Sequence, residues 1–371
     1  MLHALSPWLS RWWGPFRLFG SHLFLMTLGA LSAGLLIWFC LPRLWRLLPR
    51  DRGRAFAPGA ERAVGKPTGG GFWLCLLLLP ILLLVTPLRW PQLGVLACLT
   101  LSMLLGYWDD RSPRPWGQLR KGLTDLLVAL VAAWLLSEGR PVTIWLPLIR
   151  DAFEVSAWVY VPGAAGLLWL TLNATNCSDG VDGLAGSLTL FSLFALGALL
   201  YGVVGHREVA RFLLVPHNPE GARWAILLFT VAGGVAGYLW YNAEPSRILM
   251  GDAGSRFLGL LVGVAVLAAG NPLLVFVVAP VVLANGGTGL LKLVLLRGLQ
   301  RLGIDTRPPG GDPADDARRH VLVRALHRIR FPLHDHCRKN LGWTNAQVLM
   351  RFVLIQLFLT PLLFVLLIKV R

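Results

Sequence analysis

Five polar clusters stand at the ends of long apolar runs: KPTGGG (66–71), GYWDD (106–110), NATNCSDGVDGLAG (173–186), MGDAGS (250–255) and FPLHDHC (331–337). Asp109 and Asp110 are adjacent carboxylates. They repel one another unless a cation lies near, which suits them to hold a divalent metal or to take a proton. Lys121 and Asp125, four apart, share one face of a helix. They either pair locally or leave the Lys121 ammonium free to meet a phosphate as a point charge. Asn173, Asn176, Asp179 and Asp182 are spaced three apart and lie near one face if that stretch is helical. A plain capped turn needs one such residue, not four.

Asp252 lies between Gly251 and Gly254 just ahead of an apolar run. A helix there, capped by Ser255, would turn its first amides toward a phosphate. Asp252 would then carry Mg²⁺, which favours one or two carboxylates plus phosphate oxygens and water. His334 and His336 follow Pro332 in a basic segment and suit neutralisation of a diphosphate. A zinc site from His334, His336 and Cys337 lacks the second cluster that zinc spacing demands.

The elements that must position these residues are apolar helices. Of the 371 residues, 55% are hydrophobic and 15% are charged, against roughly 25% charged in soluble domains. Apolar runs long enough to cross a hydrocarbon core of about 30 Å recur. About ten spans are expected by that rule, near 21–42, 71–88, 91–108, 123–137, 156–172, 184–204, 223–241, 255–270, 272–296 and 348–368. The fold class is an all-α polytopic membrane protein, one integral domain over 1–371. Residues 297–340 form a basic loop that carries the His cluster. The first run is followed by Arg43, Arg46 and Arg50 and lacks a small-residue cleavage site, so it reads as a retained helix.

The net charge of +16 is a matter of topology rather than of nucleic-acid binding. Basic residues gather in the odd-numbered loops: Arg43 to Lys66, Arg111 to Lys121, and Arg297 to Lys339. The even-numbered loops hold fewer: Arg89, then Arg140 and Arg150, then Arg207, Arg211 and Arg223. The bias puts the odd loops in the cytoplasm and both termini outside. All five polar clusters then lie on the cytoplasmic face. The cysteines form no CxxC pair; Cys40, Cys75 and Cys98 read as small buried apolar residues. Residues 300–320, QRLGIDTRPPGGDPADDARRH, read as a mobile loop.

Several carboxylates, Gly-rich turns, a lysine and two histidines at a membrane surface suit metal-assisted phosphoryl transfer, where catalysis is positioning and charge neutralisation. One substrate is then a lipid and the other a cytoplasmic phosphorylated compound such as a nucleotide sugar. A transporter would place its ionisable groups near the midplane of broken helices and show internal repeats; here the acids end helices and no repeat is visible. A scaffold would have no use for the carboxylates.

The stretches GYWDD, NATNCSDGVDGLAG, YLWYNAEPSRILMGDAGS and PLHDHCRKNLGW resemble the polyprenyl-phosphate N-acetylhexosamine-1-phosphate transferases. Within them the chain is most similar to the phospho-N-acetylmuramoyl-pentapeptide transferase branch, from about Lys66 to the last span. The PLHDHCRKNLGW ending and PTGGG favour that branch over the one that transfers GlcNAc-1-phosphate, which is the alternative reading. The resemblance implies transfer from UDP-MurNAc-pentapeptide to undecaprenyl phosphate, giving lipid I and UMP with Mg²⁺. It implies a bacterial inner membrane, ten helices, membrane lipids as surroundings, and a homodimer as one assembly state. By position, Asp252 is the metal ligand. Asp109 is the candidate base toward the lipid phosphate, with Asp110 beside it, and Lys121 completes the catalytic group. The resemblance further implies that Asn173, Asn176, Asp179 and Asp182 hold the nucleotide end, that Asn242 is a further substrate-binding residue, and that His334 and His336 meet phosphates. Direct attack by the lipid phosphate is favoured over a covalent Asp intermediate, because it needs fewer steps. The family usually has three consecutive His where this chain has His334-Asp335-His336, and a Met commonly precedes the paired Gly of its first loop.

Overall fold

The computed structural model describes residues 1–51, 53, 63–114, 116–307 and 320–367. Much of the 300–320 stretch, residues 308–319, lies outside the described residues, as do Arg52, Arg54 and Arg62 of the first basic loop. A helix occupies each of the ten apolar stretches. They are α2 (His22–Leu44), α3 (Gly70–Val85), α4 (Trp90–Arg111), α5 (Gln118–Ser137), α6 (Ala157–Ser178), α7 (Leu184–Leu199), α9 (Gly221–Asn242) and α10 (Gly251–Ala268), then a broken ninth stretch, then α16 (Asn345–Leu359) with α17 (Leu362–Leu366). A short α1 (Leu2–Leu9) precedes them and α8 (Arg207–Phe212) lies in a connection. Among the described residues, seven helical segments are long and apolar enough to cross a membrane, and Gly70–Val85 is a shorter apolar helix. This is a polytopic all-α membrane protein.

The ninth stretch is not the continuous helix its hydropathy suggests. It runs as a 3₁₀ turn Pro272–Leu274, α11 (Val275–Val278), α12 (Pro280–Val282), a π-helical turn Leu283–Gly287 and α13 (Thr288–Arg301). Pro280 interrupts the ladder of i to i−4 bonds. Asn285, Gly286 and Gly287 widen the next turn, as π turns commonly do at functional sites. Two short helices, α14 (Val321–Arg328) and α15 (Leu333–Asn340), follow. One feature goes unforeseen in an all-α reading: a two-stranded antiparallel hairpin, β1 (Val142–Ile144) with β2 (Phe153–Val155), Thr143 opposite Glu154.

The packing centre is α10. It is buried nearly all round and lies against α6, α4, α3 and α7. Helices in a bilayer gain little from apolar burial against one another, so close backbone approach has to supply the contact. A Cβ at Gly259 would come within 2.7 Å of Leu172 Cα in α6, and one at Gly71 within 2.0 Å of Gly254 Cα. Because successive helices alternate in direction, the start of α3, end of α4, start of α5, end of α6, end of α9 and start of α10 meet at one end. The N-terminal ammonium bonds Leu83 O and Leu84 O near the other end of α3, the latter at 3.0 Å.

Candidate active site

The site begins with backbone. Gly70 N–H donates to Leu249 O (2.9 Å), Gly71 N–H to Met250 O (3.0 Å) and Leu249 N–H to Pro67 O (2.8 Å). The first and fourth polar clusters thus run side by side like two strands. Gly251 takes φ +71° to turn the chain into α10, a conformation that favours glycine. A Cβ there would also meet Asp110 Oδ2 at 2.5 Å.

Asp110 accounts for that crowding. Its Oδ1 accepts the Asp252 N–H (3.0 Å) and its Oδ2 the Ala253 N–H (3.1 Å). A carboxylate from α4 therefore caps the N-terminus of α10, where a negative charge also meets the favourable end of the helix dipole. Two sequence expectations change here. Ser255 is not the cap: it lies inside the first turn, and its hydroxyl donates to Gly251 O (2.9 Å) and Asn176 Oδ1 (3.1 Å). The amides of residues 252 and 253 are not turned to a phosphate, because Asp110 holds them.

With its amides fixed, the Asp252 carboxylate points at Lys121, whose Nζ lies 2.9 Å from Asp252 Oδ2. The same ammonium bonds Asp109 Oδ2, while Asp109 Oδ1 accepts the Trp116 N–H at 2.7 Å. One cation thus joins acids from α4 and α10. Lys121 and Asp125 do not form the local pair that their spacing allowed. Asp125 instead binds Arg256 of α10, Nη1 to Oδ1 2.9 Å, and Arg256 Nη2 lies 3.6 Å from Asp252 Oδ2.

The second wall comes from residues 173–186. α6 ends at Ser178, and Asp179 already has non-helical angles. The four Asx residues therefore do not share one helical face: Asn173 and Asn176 are on the helix, Asp179 ends it, and Asp182 lies beyond it. Asn173 donates to Trp169 O (2.9 Å), within reach of Asp125. Asp182 accepts the Ser246 N–H (3.0 Å) and lies 3.6 Å from Lys66 Nζ. Asn242 is a buried clamp: its Oδ1 accepts the Gly183 N–H (3.0 Å) and its Nδ2 donates to Ile248 O (2.8 Å). It fixes the turn that bears Asp179 and Asp182 against the strand-like segment leading to Asp252.

His334 closes the third side. It is buried at the start of α15, its backbone N–H donating to Asn285 Oδ1 (2.8 Å). Its Nδ1 lies 3.1 Å from the same oxygen, so Nδ1 carries the proton in this arrangement and Nε2 is turned inward. A Cβ at Gly180 would come within 2.3 Å of Nε2. The π turn of the ninth stretch thus sets His334 against the 173–186 wall. Burial, and after it the Arg338 charge, pull the His334 pKa down to about 4. Burial pushes that of Asp335 up, opposed by Arg338, Lys339 and Arg330. His336 is half-exposed, 3.4 Å from the Arg330 N–H through Nδ1. His334, His336 and Cys337 do not converge as a zinc site: among the described residues, no group of three or more His, Cys, Asp or Glu does.

Sequence reasoning missed Arg256, Asn285 and the Trp116 amide. Arg256 had a signal, a charge inside an apolar run four residues after Asp252. The others depend on how loops return and had none.

Taken together, Asp109, Asp110, Asp125 and Asp252 against Lys121 and Arg256 leave a formal excess of two negative charges when all are ionised. Asp109 and Asp252 are buried hard oxygen donors on either side of a partly exposed, movable ammonium. That chemistry fits a hard dication taken by one or two carboxylates, its remaining positions left to phosphate and water. Asp252, with Asp109 facing it across Lys121, is the pair that would hold it.

A membrane-embedded cluster of carboxylates and a lysine gathered from separate helix ends belongs to a recognisable class: the family model described as "Glycosyl transferase family 4" matches residues 92–270. Curated relatives extend the match over the whole chain. A phospho-N-acetylmuramoyl-pentapeptide-transferase of Treponema pallidum (strain Nichols) is 43% identical, covering 100% of this chain and 97% of the relative. Proteins of the same name from Bartonella quintana (27%, covering 95% of each) and Nautilia profundicola (29%, covering 82% of each) are also similar. The chain belongs to the phospho-N-acetylmuramoyl-pentapeptide-transferase family.

Proposed function

We propose that the protein is a Mg²⁺-dependent phosphoglycosyl transferase. It moves phospho-MurNAc-pentapeptide from its UDP-linked donor to undecaprenyl phosphate, giving lipid I and UMP in peptidoglycan synthesis. The observation that carries the proposal is the convergence of three distant segments on one ammonium: Lys121 joins Asp109 and Asp252, and Asp110 pins the backbone that holds Asp252.

In the reaction an oxygen of the lipid phosphate bonds to the sugar-bearing phosphorus, and the bond from that phosphorus to the UMP oxygen breaks. Mg²⁺ held by Asp252 would supply charge neutralisation on the diphosphate. Lys121 sits on a flexible stem, with 24% of its side chain exposed, so it can swing from the carboxylates to a phosphate that arrives. Asp109 is the base toward the lipid phosphate; its Trp116 bond keeps one oxygen fixed while the other is released with Lys121. Asp110 has both oxygens engaged by amides, so its part is to position Asp252, and this favours direct attack by the lipid over a covalent intermediate on Asp110. Asn173, Asn176, Asp179 and Asp182 form the nucleotide-facing wall, which Asn242 braces. His334 and His336 offer imidazole nitrogens to phosphate from the basic segment 297–340.

The topology supports a bacterial cytoplasmic membrane with ten crossings. The described basic loops lie at the site end, and Met1 lies at the opposite end of α3. Positive-inside bias then puts the site in the cytoplasm and both termini outside. A homodimer and cell-wall roles in division and shape belong to the same reading. The test is Asp252→Asn in purified protein: lipid product is lost while thermal unfolding in detergent stays as in the wild type. Retained product would refute the assignment.

A further inference from the structure

Arg256 and Asp125 form an ion pair within the bundle that the proposed chemistry does not use. Arg256 is 0% exposed and Asp125 1%. Arg256 lies one turn into α10, and Asp125 one turn into α5 after Lys121. A buried ion pair is a poor source of stability: two apolar side chains of similar volume commonly do as well or better. This one is also incompletely bonded, since Arg256 Nε and Nη2 have no hydrogen-bond partner among the described residues. Ionisable groups inside a membrane protein are costly and mark function.

The geometry says which function. Asp252 Oδ2 stands between two cations, Lys121 Nζ at 2.9 Å and Arg256 Nη2 at 3.6 Å. Lys121 is partly exposed and can leave. Arg256 is enclosed and cannot. Asp125 draws the guanidinium to its own side at 2.9 Å, which keeps Arg256 from closing fully on Asp252. The Asp252 carboxylate, itself buried, is therefore held on one side by a fixed, partly neutralised charge and on the other by the partly exposed Lys121, whose departure would uncover it. The pair is neutral as a unit, but each half alone changes the charge of the site by one.

We infer that Arg256, locked by Asp125, is a positioning residue that fixes the Asp252 carboxylate and sets how tightly the site takes a divalent cation. The inference rests on the reading that Asp252 holds such a cation. It follows that the two halves act in opposite directions. Removing Arg256 takes away a repelling charge and tightens cation binding, yet leaves Asp252 poorly held, so kcat falls. Removing the Asp125 charge lets Arg256 close on Asp252 and weakens cation binding. Removing both restores binding toward the wild type.

The experiment is a titration of the full chain in detergent with Mn²⁺ alone, read by electron paramagnetic resonance, for the wild type, Arg256→Met, Asp125→Asn and the double variant. Contacting charges couple strongly, so shifts of roughly tenfold are expected, tighter for Arg256→Met and weaker for Asp125→Asn, with the double variant near the wild type. UMP release is followed beside it, with kcat reduced in Arg256→Met. Arg256→Gln reads the same sign if Arg256→Met does not fold. A merely structural pair would move both single variants the same way; that result, or no shift in either, overturns the inference while leaving the function standing. Wild-type protein that binds no Mn²⁺ overturns the cation reading of Asp252 and the inference with it.

Discussion

Lowering the pH should destabilise this protein through one imidazole. His334 is 2% exposed and its pKa lies at about 4, against about 6.5 in an unfolded chain. Between those values the unfolded chain binds a proton that the folded protein does not, so stability falls as pH falls. The loss begins near pH 6.5, grows through pH 5 and levels off near pH 4. At 1.36 kcal/mol per pH unit, the penalty is about 2 kcal/mol at pH 5 and about 3 kcal/mol once the folded imidazole titrates. Asp335, which burial pushes upward, titrates with the opposite sign, so the imidazole must be isolated by substitution. His334→Gln keeps an acceptor near the Gly180 turn and removes the titration. Thermal unfolding in a mild detergent from pH 7.5 to pH 5 should show a wild-type Tm falling by a few degrees more than that of His334→Gln. Equal slopes would mean that His334 is not held neutral by burial, and the account of the π turn seating it would fail.

Other perturbations follow from the same geometry. Gly71→Ala places a Cβ 2.0 Å from Gly254 Cα; such overpacking costs roughly 1–3 kcal/mol or more, and the strand-like pairing that holds Asp252 should loosen, seen as a lower Tm and slower UMP release. Asn242→Ala strips the Gly183 N–H and Ile248 C=O of their partners; each buried orphan costs about 1–3 kcal/mol, and KM for the nucleotide donor should rise more than kcat falls. Lys121→Gln should lower kcat by at least tenfold, as expected for a charge aimed at phosphate in the transition state, and should also lower Tm, because Asp109 and Asp252 lose their shared cation; unchanged kcat would remove Lys121 from the chemistry.

How much could be read beforehand differs by residue. Asp109, Asp110, Lys121 and Asp252 were visible because each interrupts hydropathy at the end of an apolar run, where a charge is costly unless used. Their common face followed from the alternation of helix directions. Their division of labour did not: only the structure separates Asp110, which caps α10, from Asp109, which meets Lys121. The spacing of Asn173, Asn176, Asp179 and Asp182 suggested one helical face, but spacing does not say where a helix stops, and α6 stops at Ser178. Arg256 was overlooked because a single charge in an apolar run reads as the edge of a span, although its position four residues after Asp252 was a sign. The ninth stretch shows the limit of hydropathy most clearly. Its mean is that of a span, while the helix is interrupted ahead of Pro280 and the segment that follows, Pro280–Arg301, carries a π turn at Leu283–Gly287.

The most direct test of the central claim is UMP release by the purified protein with undecaprenyl phosphate and Mg²⁺, with UDP-MurNAc-pentapeptide and UDP-GlcNAc offered in separate reactions. The account predicts release with the muramoyl donor alone, and none from Asp252→Asn. Release with UDP-GlcNAc alone, or with neither donor from well-folded protein, would contradict it.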